Sequence, residues 1–348
     1  MTWVVGATDN PMGQQHYESE IQKAIQALAE QRSWEFSAVR LAPLKGKASG
    51  AKRFPARLLN GSNDRVARAV ATVTYPRRGF VHRFDLRLPP AGEREVVTAH
   101  DLPPLRFDDE GQLPPWVPSS TRRSFGVIAP SSFAASEITS LLGVSRTWVI
   151  PYGLSGPFLS PGPAQAAELA ALDITGRYVV HAAGASARKN LTALAEAWPI
   201  VSHRTGTTLV LAGPPDARRD RLFKGLPGVR LVGKQPAALV AGLMAASSAV
   251  VVPSLYEGFG LPALEGMACG APVVAADRGA LPEVCGDAAL LVDPGAAGLA
   301  DGLIAVLENG DLAARLIAAG PRRAATFSWV SAAQRHLDVY DQLFAARG

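Results

Sequence analysis

Cysteine is nearly absent from this 348-residue chain, which has only Cys269 and Cys285. Two thiols cannot make a disulfide framework, and their spacing is not that of paired metal ligands. A reducing, cytosolic setting is the expectation. Charge is also sparse, at 19% of residues against 48% hydrophobic. That balance is globular and excludes disorder as the main state. Long apolar runs are missing too. The stretch from Gln235 to Tyr256 is uncharged, but Gly242, Ser247, Ser248 and Pro253 dilute it below the ~20 predominantly apolar residues of a membrane span. It reads as a buried helix, Pro236 to Ala246, and a core strand, Ala249 to Val252. The opening MTWVVGATDN has no basic n-region and too short an apolar stretch for a signal peptide.

What is present is a chain long enough for two domains at roughly 150 residues each. Net charge is +5, and the excess is localised. From Arg40 to Arg87 there are 12 Lys or Arg against two acids, Asp64 and Asp85. Such a region is either a solvated arginine-rich face or a patch for anionic lipid or an anionic substrate. No RNA-binding aromatic signature or zinc-finger spacing accompanies it, which excludes nucleic acid as the first choice.

Short apolar runs alternate with amphipathic stretches, the pattern of parallel α/β sheets. Strands are expected at Trp3 to Gly6, Glu95 to Ala99, Gly126 to Ala129 and Trp148 to Ile150. A loop with Pro11 and Gly13 should follow the first, then a helix near Tyr17 to Gln31. Pro103 to Pro118 should be irregular, and Ser131 or Ser132 should open a helix. Leu154 to Pro163 holds three prolines and two glycines, which is linker chemistry. Beyond it the pattern restarts with strands at Tyr178 to Ala182, Thr208 to Ala212, Val229 to Val232 and Val273 to Ala275. A helix is expected from Leu191 and a last one from Ser331 to Phe344. Two doubly wound α/β domains facing a cleft is the simplest architecture: 1–153, 154–328, and a terminal helix at 329–348.

The densest chemistry runs from Ser254 to Gly266. A buried strand ends at Val252, a glycine-bearing loop follows, and a helix begins with Pro262 in its first turn. Ligands of open α/β sheets bind beyond the carboxyl ends of the strands. Gly258 and Gly260 let backbone approach an anion, and free amides at the helix start favour phosphate. Glu257 and Glu265 each accept hydroxyls well, so the two suit a sugar and a ribose. The plain alternative has Glu257 complementing the helix dipole and Glu265 facing solvent. Arg188 and Lys189 lie before the Leu191 helix, where adjacent cations would neutralise a diphosphate. Otherwise they are a surface pair.

The string Glu257-Gly258-Phe259-Gly260-Leu261-Pro262-Ala263-Leu264-Glu265 resembles the retaining GT-B glycosyltransferases of family 4. Ala268 to Ala275, Gly279 to Val284 and Gly286 to Ala289 are similar to the family as well. The resemblance implies that Glu257 contacts donor-sugar hydroxyls and Glu265 the ribose. The amides of Gly258, Phe259, Gly260 and Leu261 would then face sugar and diphosphate. Gly184 to Asn190 resembles the family's strand–loop–Arg-Lys-Asn segment, giving Gly184, Arg188 and Lys189 to the diphosphate. Val232-Gly233-Lys234 resembles the strand end that reads the base, so Gly233 joins the donor set. His100-Asp101 resembles the strand-end His-Asp facing the reacting sugar, with His82 a second candidate. Two departures stand out. Gly13 is alone where the family pairs glycines on the donor phosphates, and Tyr152 replaces the asparagine of a Pro-Asn-Gly hinge.

The implied protein is a metal-independent, retaining glycosyltransferase without a cofactor. Its substrates are a nucleoside-diphosphate sugar of GDP-mannose or UDP-sugar type and a glycan, lipid or glycoconjugate acceptor. Its expected place is cytoplasmic, with peripheral contact at the inner membrane face through the 40–87 region. A GT-B nucleotide-sugar epimerase and a non-catalytic membrane-docking protein are the alternatives.

Overall fold

The computed structural model describes residues 1–7, 13–29, 32, 34–44, 49–76 and 78–347. Its chain divides into two units, Met1–Gly153 with Ser328–Gly348, and Leu154–Phe327. Each is a doubly wound α/β domain with one parallel sheet, the architecture expected from the alternation of strands and helices.

In the first unit the strands are β1 (Thr2–Gly6), β2 (Ser37–Pro43), β3 (Lys52–Phe54), β4 (Val81–Arg83), β5 (Glu95–Thr98), β6 (Gly126–Ala129) and β7 (Thr147–Val149). They lie in the order β3-β2-β1-β4-β5-β6-β7. Helices cover both faces, so the central strands are buried on both sides, although β4 and β5 carry His82, Arg83 and Glu95 among their buried residues. The first helix spans Gly13–Ala29, so Gly13 opens a helix where a loop was expected. Pro11 and Gln31 lie outside the described residues. The proline-rich stretch holds two single 3₁₀ turns, Pro103–Leu105 and Asp108–Glu110, before a helix at Val117–Arg123. Ser131 caps the next helix by accepting from Ala134 N at 3.0 Å, and Gly143 ends it in the left-handed conformation.

The helix Trp329–Arg347 packs on this unit rather than on the one it follows. Its Tyr340 hydroxyl receives Trp3 Nε1–H at 3.3 Å and bonds His82 Nδ1 at 2.6 Å. His82 Nε2 meets Thr98 Oγ1 at 2.8 Å. Both ring nitrogens of this second histidine candidate are therefore spent inside the core. Gly153 allows the close crossing, since a Cβ there would lie 2.3 Å from Trp329 N.

The basic stretch is not uniformly a solvated face. Arg83 is fully buried and forks onto Glu95, with Nε to Oε2 at 3.1 Å and Nη2 to Oε1 at 3.0 Å. Its third nitrogen donates to the Asp85, Leu86 and Leu88 carbonyls. A planar fork with a bidentate carboxylate is the arrangement in which a buried guanidinium is tolerated. Lys45, Lys47 and Arg77 lie outside the described residues.

The second unit has β8 (Tyr178–Ala182), β9 (Thr208–Ala212), β10 (Val229–Gly233), β11 (Ala249–Val252), β12 (Val273–Ala276) and β13 (Leu290–Val292), in the order β10-β9-β8-β11-β12-β13. The uncharged stretch before Tyr256 splits into a helix, Ala237–Ala245, and the wholly buried β11. No described helix is long and apolar enough to cross a membrane. Strand order reverses between β8 and β11, and that crevice is where open α/β sheets bind ligands.

Candidate functional site

The loops leaving β8 and β11 meet at the reversal point. After β8 the chain runs through Gly184 to a single 3₁₀ turn, Ala187–Lys189. Asn190 then adopts a left-handed conformation at φ 55°. Its side chain donates to the Pro253 carbonyl at 3.0 Å and the Pro294 carbonyl at 2.8 Å. This pins the Arg-Lys turn to the end of β11, and Leu255 N donates to the Arg188 carbonyl at 2.8 Å.

Both cations converge on one carboxylate. Lys189 Nζ lies 2.6 Å from Glu257 Oε1, and Arg188 Nη1 lies 3.3 Å from Oε2. Lys189 and Glu257 are 7% and 5% exposed, so this is no surface pair. Burial alone would raise the Glu257 pKa, but Lys189 and Arg188 outweigh it and hold the carboxyl below its ordinary range. Gly279 supports the same segment from outside at φ +62°. A Cβ there would come within 2.9 Å of the Glu257 backbone N and O, and Ala280 N donates to the Glu257 carbonyl at 3.0 Å.

The glycine loop then turns into the helix Leu261–Ala268, with Pro262 in its first turn. Gly260 sits at φ +101°, where a Cβ would lie 2.8 Å from Leu281 Cδ2. Tyr256 and Phe259 turn inward, Phe259 edge-on to Phe327 with ring centroids 5.6 Å apart. Glu265 is half-buried on the helix. Burial pushes its carboxyl up to about 8 against the pull of Lys189, so at neutral pH it is mostly a neutral acid with an O–H to donate. Gly233 ends β10 at φ +70°, and its carbonyl accepts from Gly213 N at 2.9 Å. Open space surrounds the positions a Cβ would take on Gly184 and Gly233.

Nine of the expected positions, Gly184, Arg188, Lys189, Glu257, Gly258, Phe259, Gly260, Leu261 and Glu265, thus lie on the loops and helix at the reversal point, and Gly233 ends β10. Two others, Gly13 and His100, belong to the first unit. There His100 follows β5, and its Nδ1 hydrogen-bonds the Tyr152 hydroxyl. Tyr152, the hinge departure, is thereby the partner that orients this ring. Burial lowers the His100 pKa to about 4, so its ring is neutral at pH 7. Among the described residues no group of three or more His, Cys, Asp or Glu is placed to hold a metal. Both cysteines are buried and free, with thiols pushed up to about 12 by burial; they are inert at neutral pH.

Residues 176–309 match the family model of the glycosyl transferases group 1. Over 284 residues the chain is 28% identical to O-antigen chain mannosyltransferase B of Escherichia coli, covering 75% of this chain and 74% of that one. The family-model match falls within the Leu154–Phe327 unit, which is thus similar to the group 1 glycosyl transferases. Solved glycosyltransferase structures share its fold. Sucrose-phosphate synthase of Thermosynechococcus elongatus superposes with a TM-score of 0.74 at 20% identity, over 99% of each chain. HepE of Anabaena in complex with UDP-glucose gives 0.69 at 19% identity, over 98% of this chain and 100% of that one.

Two buried side chains beside the site carry no sequence signal of function. His181, on β8, gives Nδ1 to the Val251 carbonyl at 3.1 Å, while its Nε2 has no partner. Arg219, in the helix Ala217–Phe223, is 3% exposed. A histidine inside an apolar strand and an arginine in an Arg-Arg-Asp-Arg run both read as ordinary structure or surface. Only the fold brings them inside.

Proposed function

We propose that the chain is a retaining, metal-independent hexosyltransferase that moves a sugar from a nucleoside-diphosphate donor to a glycan, lipid or glycoconjugate acceptor. The observation that carries this reading is the convergence of Arg188 and Lys189 on Glu257 at the strand reversal of the second sheet. In the reaction the anomeric C–O bond breaks and its electron pair leaves on the diphosphate. The acceptor hydroxyl oxygen bonds the same face of the oxocarbenium-like carbon, and its proton passes to the departing diphosphate. Arg188 and Lys189 neutralise that developing charge. Glu257 holds sugar hydroxyls, Glu265 the ribose, and the backbone of Gly184 and of Gly258 to Leu261 faces the phosphates. Gly233 lies at the base. The acceptor side, with His100 and Gly13, belongs to the first unit.

The mannosyltransferase relative favours a GDP-mannose type of donor, and the UDP-glucose complex of HepE a UDP-sugar. Arg57 and Arg65, with Leu58 and Val73 at 65% and 84% exposure, support peripheral contact with an anionic membrane at the cytoplasmic face.

Melting curves with UDP, GDP, ADP, dTDP and their sugar conjugates test the donor. A ligand at about 100 times its Kd adds about 2.7 kcal/mol. One responding nucleotide names the donor class, and transfer from its sugar conjugate must then retain the anomeric configuration. A folded sample that answers to none of them, or a product of inverted configuration, overturns the proposal.

A further inference from the structure

Arg219 is a guanidinium with almost no water and no carboxylate. Its Nη1 donates to the Pro214 carbonyl at 3.2 Å and its Nη2 to the Ala183 carbonyl at 2.5 Å, while Nε has no partner. On the same helix Asp220 is exposed. Asp216 spends Oδ1 on the backbone N–H of Arg218 and Arg219, at 2.8 and 3.1 Å. Neither forms an ion pair with Arg219, and water screens what attraction remains. Arg83 shows what this fold does with a structural buried arginine, since there Glu95 supplies both oxygens of a fork. Arg219 lacks that compensation, and burial lowers its pKa from the ordinary arginine value. An uncompensated buried charge is costly to keep and calls for an anion.

Its position says which anion. Ala183 and Pro214 lie just beyond the carboxyl ends of neighbouring strands β8 and β9, and Ala183 directly precedes the loop that carries Arg188 and Lys189. Gly213 is what lets the guanidinium lie there: a Cβ at its φ of +152° would stand 2.1 Å from the Ala183 carbonyl oxygen and 2.9 Å from both Nη atoms. His181, buried on β8, feels the charges of Arg219, Lys189 and Glu257 together. The charges then balance. Arg188 and Lys189 less Glu257 leave one positive charge. Arg219 makes a second, matching the single negative charge on each phosphorus of a sugar-nucleotide diphosphate.

We propose that Arg219 is a positioning residue of the donor site, the buried third cation that completes neutralisation of the diphosphate and fixes the β8 and β9 loop carbonyls behind it. This rests on the donor reading above and deepens it. Without touching the ligand, Arg219 makes the site select for a diphosphate over an uncharged nucleoside.

The test compares wild type with Arg219→Met, which removes the charge, Arg219→Gln, which keeps a donor to the carbonyls without charge, and Arg219→Lys, which keeps the charge. Isothermal titration measures the nucleoside diphosphate that shifts wild-type melting and its parent nucleoside, at two salt concentrations. Expected is a loss of at least about tenfold in diphosphate affinity for the Met and Gln variants, unchanged nucleoside affinity, a shallower salt dependence and rescue by Lys. The ligand-free Met or Gln variant should melt no lower than wild type, because removing a lone buried charge relieves a cost. Loss of both affinities together, an unchanged ratio between them, or a failure of both neutral variants to fold would make Arg219 a structural clamp and sink the proposal. If wild type binds no nucleotide, the donor reading itself has failed, and this inference falls with it.

Discussion

Replacing Glu257 by Gln keeps the shape of the side chain and removes its charge from between two cations. Lys189, 7% exposed with Nζ 2.6 Å from Oε1, is left as a buried ammonium facing an amide. Breaking a buried pair by removing one partner costs about 3–5 kcal/mol. The lower end applies here, because Arg188 is the more exposed cation at 19% and can turn toward water. About 3 kcal/mol in a domain of this size lowers Tm by about 6–12 °C. The assay is a melting curve of the transition belonging to residues 154–327, measured for Glu257→Gln, Lys189→Met and the double variant. Deleting both charges removes the cost as well as the attraction, so the double variant should recover to within about 1 kcal/mol of wild type. A Glu257→Gln protein melting within a degree of wild type, or a double variant showing the sum of the single losses, would refute the view that this carboxylate is the counter-ion of a desolvated lysine.

Two pH effects of opposite sign follow from the same geometry. The raised folded pKa of Glu265 means that its burial favours folding fully below the ordinary value of 4.5, and that this stability is lost as pH rises toward about 8. Glu265→Gln should therefore flatten that decline in the 154–327 unit when chemical denaturation is followed across pH. In the first unit His336 and His100 are held neutral by burial, each with a pKa near 4. Their stability is complete above 6.5 and lost as pH falls through the folded values. His336→Gln should remove part of the acid-side slope of that unit alone, and an unchanged slope would show that the ring titrates as it does in water.

The second unit was the more legible half, for a physical reason. β8, β9 and β11 are short, mainly apolar runs rich in Val, Leu and Ala, nearly all buried, so composition and length suffice to find them within a residue. The edge strand Lys52–Phe54 and its neighbour Ser37–Pro43 carry Lys52, Arg53 and Arg40 among few large apolar residues and leave no such trace. Leu290–Val292 is only three residues long, and the helices Ala296–Glu308 and Gly310–Ala324 have no expected counterpart in the sequence pattern, whereas the strand end read at His82 falls on Val81–Arg83. The site splits in the same way. Local spacing placed Arg188 and Lys189 on one loop and Glu257 on another. That the loops touch, 68 residues apart, is a property of β8 lying beside β11. Nothing local distinguishes Arg219, in a run of charged residues, from its exposed neighbours.

The return of the helix Trp329–Arg347 to the first unit has a consequence for the order of events at the ribosome. The Leu154–Phe327 unit is continuous and has all its residues as soon as Phe327 is made. The first-made unit does not, because Trp3, Tyr17 and His82 wait for Tyr340 and His336 to fill and hydrogen-bond their core. Domains usually fold in the order of their synthesis, and here that order is inverted. A ribosome pausing between Phe327 and Tyr340 would therefore hold a complete second domain and an incomplete first. Nicking the helix Trp329–Arg347 should loosen the core around Trp3, Tyr17 and His82, more than 240 residues away in sequence.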